Sequence, residues 1–82
     1  LSTWDDEVAE ELVAARRAFP ALHSCHEAYA VLVEEIREVE AIVFTNHRQR
    51  DPVALHRELV QVAAMARRFA EDVVEAGLAV TT

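Results

Sequence analysis

The chain contains no lysine. All eight of its basic residues are arginines, set against 15 acidic residues and a net charge of −7. The arginines form no basic block, and a sequence-independent grip on DNA or RNA needs clustered positive charge. A nucleic-acid polymer is therefore not expected as a partner. Glycine occurs once and proline twice in 82 residues. So few turn formers argue for long helices rather than many short strands. The single cysteine, Cys25, has no intrachain partner for a disulfide; it suits a reducing compartment, and a cytoplasmic location is expected. No apolar run approaches the ~18 residues of a membrane span, and there is no signal-peptide pattern. Aromatics are scarce, with one Trp, one Tyr and three Phe. Much of the 52% hydrophobic content is alanine and valine, and small apolar side chains each contribute little on burial.

What is present reads as three helices in one domain over 1–82. In the first, Ser2 or Thr3 can cap, Asp5, Asp6 and Glu7 crowd the first turn, and Arg16 and Arg17 close the last, as the helix dipole favours. Val8, Leu12 and Ala15 share one side. The Phe19-Pro20 step ends the segment, because a residue before proline avoids helical backbone. Ser24 to Glu27 reads as a capping box opening the second helix. Its apolar positions are Tyr29, Leu32, Val33, Ile36, Val39 and Val43, and it is expected to run to about Arg48. That is roughly 24 residues or ~36 Å. Asn46 to Arg50 is a polar break. Asp51-Pro52, an N-cap followed by proline, then starts the third helix. Leu55, Leu59, Val62, Ala66, Phe69 and Val73 form its stripe, Gly77 marks its end, and Leu78 to Thr82 is a tail.

Two long helices joined by a short polar loop form an antiparallel hairpin. A hairpin this small buries too little alone, and the alanines of Val62 to Ala66 invite close approach of another helix. The expected fold is all-α: a hairpin of two long helices plus a short N-terminal helix. Two hairpins are expected to pair into a four-helix core in a homodimer or homotetramer.

The residues with the most chemistry are carboxylates. Glu34, Glu35 and Glu38 lie on the second helix, where residues three and four apart share a face, and Glu27 precedes them by two turns. Like charges at this spacing repel, and a bound cation removes the repulsion. Mg²⁺ takes hard oxygen ligands, commonly carboxylates together with substrate phosphates. Glu58 and Gln61, three apart on the third helix, are expected to face Glu35 and Glu38 across an antiparallel hairpin. Against this stands the ordinary reading, in which glutamates on long helices form a solvated face.

Glu34-Glu35-Ile36-Arg37-Glu38, followed about twenty residues later by Glu58-Leu59-Val60-Gln61, resembles the EExxE…ExxD signature of MazG-type all-α nucleotide pyrophosphohydrolases. The runs His26 to Glu35 and Gln61 to Ala66 resemble a short bacterial and phage subset of that family, and the likeness extends over about Ser24 to Asp72. The resemblance implies a helical dimer or tetramer that uses Mg²⁺ or Mn²⁺ to split nucleoside triphosphates, including non-standard ones, into monophosphate and pyrophosphate. It implies metal ligation by Glu35, Glu38, Glu58 and Gln61. The catalytic residues would be Glu38 and Glu34, the latter accepting a proton from the attacking water. The departure is Gln61, where the motif has aspartate. A glutamine carbonyl can ligate but brings no charge, which implies weaker metal binding and a weakened or altered activity. A non-catalytic relative, serving as an oligomerising or partner-binding helical module, is the alternative.

Other residues carry weaker signals. His23, His26 and Glu27 form a possible transition-metal group or a hydrated helix start. His47 and His56 flank the loop. Tyr29, Met65 and Phe69 are expected in the core. Arg57, Arg67 and Arg68 suit phosphates, but Arg67–Glu71 and Arg68–Asp72 are also natural i,i+4 pairs. Cys25 at a helix N-terminus has no base partner in sight.

Overall fold

A computed structural model describes residues 3–80, which form helices α1 (Trp4–Ala18), α2 (Cys25–Val43) and α3 (Pro52–Phe69), the last continued by a π-helical turn (Ala70–Val74). Among these residues there is no strand, and no helix is long and apolar enough to cross a membrane. Ser2, Thr81 and Thr82 lie outside the described residues.

Each helix starts where its cap places it. The Thr3 hydroxyl accepts from the Asp6 N–H (3.1 Å) and the Asp6 carboxylate accepts from the Thr3 N–H (3.3 Å), a reciprocal box with aspartate in the glutamate position. Phe19 is extended (φ −134°, ψ 148°), as its proline neighbour requires. Ser24 Oγ accepts from the Glu27 N–H (3.1 Å), but the box expected here is not closed: Glu27 reaches one residue further back and accepts from the His23 N–H (3.1 Å). Asp51 Oδ1 accepts from the Val53 and Ala54 N–H groups (2.9 and 3.2 Å) ahead of α3.

The second helix is shorter than the sequence suggests, stopping at Val43 instead of running to about Arg48. Local polar groups compete with the helix there. Thr45 donates its hydroxyl to the Ala41 carbonyl (2.9 Å), and Asn46 turns the chain by accepting from the Arg48 N–H (3.0 Å). Arg50 folds back to donate to the Val43 carbonyl, bringing a cation to the negative end of α2. At the other end of the fold, Gly77 takes φ +79°. The Leu78 N–H then bonds the Val73 carbonyl (2.8 Å) and the Gly77 N–H the Val74 carbonyl (3.1 Å), a Schellman closure.

Helix α3 is central and packs against both α2 and α1. Pairs between α3 and α2 run in opposite senses, Gln61 meeting Glu35 and Glu58 lying by Glu38, so the two form an antiparallel hairpin. Pairs with α1 run in the same sense: Glu7 Oε2 lies 3.8 Å from His56 Nε2, and Arg16 bonds Asp72 (2.6 Å). The molecule measures 46 × 29 × 18 Å, and Val31 and Leu32 of α2 pack against the cluster formed by α1 and α3.

The fold has two small cores. Val8, Leu12 and Ala15 of α1 meet Val60, Ala64 and Met65 of α3; Leu22 and Ala28 meet Val73. The buried face of α3 is rotated from the expected stripe. Leu59 (41%) and Ala66 are exposed, while Val60, Ala64 and Arg68 are buried. On α2 only Ala28 is fully covered, and the expected core positions Tyr29, Ile36 and Val43 are exposed, Tyr29 to 64%. The reason is geometric: α3 touches α2 along one side, and α1 lies against α3 and not against the remaining apolar face of α2.

Arg68 is 4% exposed. Its Nη2 donates to the Pro20 carbonyl (2.7 Å), its Nε lies 3.7 Å from Asp72 Oδ2, and its guanidinium stands 5.9 Å from the centre of the Phe19 ring. Asp72 also accepts from the Leu22 N–H (3.0 Å) and from Arg16 (2.6 Å). This one carboxylate thus ties α1, the 19–24 connection and the end of α3 together. The expected pair Arg67–Glu71 is present at 2.8 Å.

Candidate metal centre

The hairpin register sets the carboxylates. On α2, Glu35 and Glu38 are three apart and project toward α3, where Glu58 stands opposite. One oxygen from each of Glu35, Glu38 and Glu58 lies within 4.8 Å of the others. Glu35 and Glu58 are partly buried and Glu38 is exposed, so the cluster opens to solvent on the Glu38 side. A divalent ion with ligands at ~2.0–2.6 Å can be reached from oxygens this close.

Gln61 completes the group. Oriented to satisfy its neighbours, its amide nitrogen donates to Glu35 Oε2 (2.7 Å) and Glu58 Oε2 (3.1 Å). Gln61 is thus a neutral donor that bridges two of the three acids. Glu34, the other candidate, is exposed and is not one of the three converging groups. It lines a neighbouring cavity together with Glu35.

The crowding shows in the proton affinities. Burial, then the hydrogen-bonded carboxyl of Glu38 and the nearby charges of Glu38, Glu58 and Glu11, push Glu35 up to about 7. Glu58 is also raised, first by its hydrogen bond with Glu38 and then by burial, with Arg57 acting the other way. Donation from Gln61 favours the charged carboxylates and opposes this rise. Glu11 of α1 is the contributor not singled out from the sequence. Its signal was its place beside Leu12, at the edge of the apolar stripe that packs α1 onto α3.

A carboxyl whose affinity for protons is higher folded than unfolded stabilises the protein when protonated. With Glu35 at about 7 folded and near 4.5 otherwise, that contribution is full below pH 4.5 and is lost as the pH rises through 7. Burial works to raise Asp72, but the Leu22 N–H, Arg16 and Arg68 hold it down, and Arg67 and Arg16 hold Glu71 down, so their loss of stabilisation falls at more acidic pH. In chelator, the melting temperature is expected to rise as pH is lowered from 8 to 5. Glu38→Gln should flatten that slope, and an equal slope in the variant would show that other groups cause it.

The histidines do not form a second centre among the described residues. His23 Nδ1 is 4.0 Å from Glu27, and His56 packs edge-on to Trp4 at 5.5 Å. Neither His26 nor His47 joins a group of metal-ligating side chains. Cys25 is half-buried, with its thiol 3.9 Å from the Ala79 carbonyl. Comparison with known proteins finds no matching family model, no matching curated protein and no matching solved structure.

Proposed function

We propose that the chain is a Mg²⁺- or Mn²⁺-dependent nucleoside triphosphate pyrophosphohydrolase, releasing a monophosphate and pyrophosphate. The observation that carries this reading is the convergence of Glu35, Glu38 and Glu58 within 4.8 Å across the hairpin, at positions spaced as in the MazG-type signature. Three mutually repelling acids, one pushed up to about 7, are unfavourable unless protons or a cation neutralise them. Glu35, Glu38 and Glu58 hold the cation, and the Gln61 amide can rotate to offer its carbonyl oxygen. When bound, the cation neutralises phosphate charge and lowers the pKa of the attacking water. Glu34, exposed beside Glu35, accepts the proton of that water. The apolar face of α2 left open at Tyr29, Ile36, Val43 and Phe44 supports pairing of two hairpins into a four-helix core, as a cytoplasmic homodimer or homotetramer.

The test is pyrophosphate release from a panel of standard and modified triphosphates with Mg²⁺ or Mn²⁺. Metal-dependent release that disappears in Glu38→Gln is expected.

A second reading is a non-catalytic helical oligomer or partner-binding module. The bridge from Gln61 to Glu35 and Glu58 favours it, because the amide ties the acids together with no cation. A stable oligomer without turnover on any triphosphate would select this reading.

A further inference from the structure

Beside the carboxylate cluster lies a cavity of about 490 Å³ between α1, the 19–22 connection and the first half of α2. Its volume falls in the ~300–1,000 Å³ range of small-molecule sites. Ala14, Ala18 and Met65 supply apolar wall, and Phe19, 61% exposed, stands beside them. The small alanines let a flat ring lie close to α1. Glu35 is shared between this wall and the carboxylate cluster, so a ligand that spans both has its apolar part here and its anionic part at the cation.

The polar groups around the cavity define the ligand. Arg68 lines it and is 4% exposed, yet its hydrogen bonding is incomplete. Of the five N–H donors a guanidinium carries, Nη2 meets the Pro20 carbonyl at 2.7 Å and Nη1 meets only the Met65 sulfur at 3.8 Å. Nε is buried without a hydrogen-bond partner, 3.7 Å from Asp72. A buried cation with spare donors calls for an acceptor. Glu11 and Glu34 line the same cavity and offer acceptors for N–H groups. The charge of Arg68 is already balanced by Asp72, so a neutral acceptor such as a ring carbonyl suits it better than an anion, which the surrounding carboxylates would repel.

We propose that this cavity holds a nucleobase carrying both a ring carbonyl and an N–H donor, with the carbonyl toward Arg68 and the N–H edge toward Glu11 or Glu34. This rests on the reading of the neighbouring cluster as a triphosphate site and assigns the substrate class. Cytosine, uracil and guanine satisfy the pattern. Adenine, which has no carbonyl, leaves Arg68 unanswered.

The test separates base binding from catalysis. Cytidine, uridine, guanosine and adenosine are titrated at millimolar concentration into the full chain in chelator, followed by NMR shifts of the α1 and α2 amides. At least one carbonyl-bearing nucleoside is expected to bind about tenfold or more tightly than adenosine, the cost of an unmade bond to a charged donor. Ala14→Leu, which fills the cavity from an exposed position and leaves the Arg68–Asp72 pair intact, should abolish that binding, while in separate thermal melts without chelator Mn²⁺ should stabilise the variant as much as the parent chain. Equal binding of all four nucleosides, binding of none, or unchanged binding in Ala14→Leu would overturn the assignment. Because no metal or triphosphate is present, such a failure leaves the hydrolysis assay to decide the enzyme reading separately.

Discussion

Asp72→Ala is expected to cost about 3–5 kcal/mol of folding free energy, the usual penalty for removing one partner of a buried ion pair. The Asp72 side chain is 6% exposed and the Arg68 side chain 4%, so the substitution strands a charge that water cannot reach. It also removes the acceptor of the Leu22 N–H and the closer of the two contacts made by Arg16. Domains of this kind have only ~5–15 kcal/mol in total, so the loss takes a large share of it. Glu71→Ala is the matched control. Its contacts to Arg16 and Arg67 are also short (2.8 Å), but its side chain is 34% exposed, and exposed pairs contribute little because water and salt screen them. Urea denaturation of the two variants measures the difference. A similar small cost for both would mean that Asp72 does not hold the three segments together.

Gln61→Asp should act with opposite signs in the two metal states. Without metal it replaces a donor that bonds Glu35 and Glu58 with a fourth negative charge among acids already driven upward in proton affinity. The metal-free protein should therefore melt at lower temperature. With Mg²⁺ or Mn²⁺ the added carboxylate should become a ligand. The stabilisation by metal, which follows RT ln(1 + [L]/Kd), should exceed that of the parent chain, with affinity raised about tenfold or more, as expected from about 1.4 kcal/mol of added attraction. Thermal melts in chelator and in millimolar metal read both signs at once. A variant that melts lower in both conditions would indicate that the cluster is held by its amide bridge and not by a cation.

The helices were legible because their ends are written in local chemistry. Thr3, Ser24, Asp51-Pro52 and Gly77 each act on backbone groups within a few residues, so no knowledge of the rest of the fold is needed. The facing of Glu35 and Glu38 toward Glu58 and Gln61 was legible for a related reason, since a short loop fixes the hairpin register. Less was visible where distant segments decide. The rotation of α3 that buries Arg68 depends on Pro20 and Asp72, and periodicity alone placed Leu59 and Ala66 inside. Tyr29, Ile36 and Val43 fit an apolar stripe, but they stand exposed among the described residues, with no other helix packed over that face of α2. The halt at Val43 reflects the competition of Thr45, Asn46 and Arg50 for the last carbonyls, which an apolar pattern does not record. Spacing placed Gln61 beside the acids, but only their positions show that its nitrogen can serve two of them. Glu11 belongs to a helix brought to the cluster by tertiary packing.

The central claim is that Glu35, Glu38 and Glu58 act together on a cation to cleave a triphosphate. Pyrophosphate release, measured side by side in the parent chain and in Glu38→Gln, tests it most directly. The account predicts release that requires Mg²⁺ or Mn²⁺ and falls in the variant by more than the ~10–100-fold typical of losing an outer-shell partner. Release that is equal in the two proteins, or absent from the parent chain with every nucleotide, would contradict it.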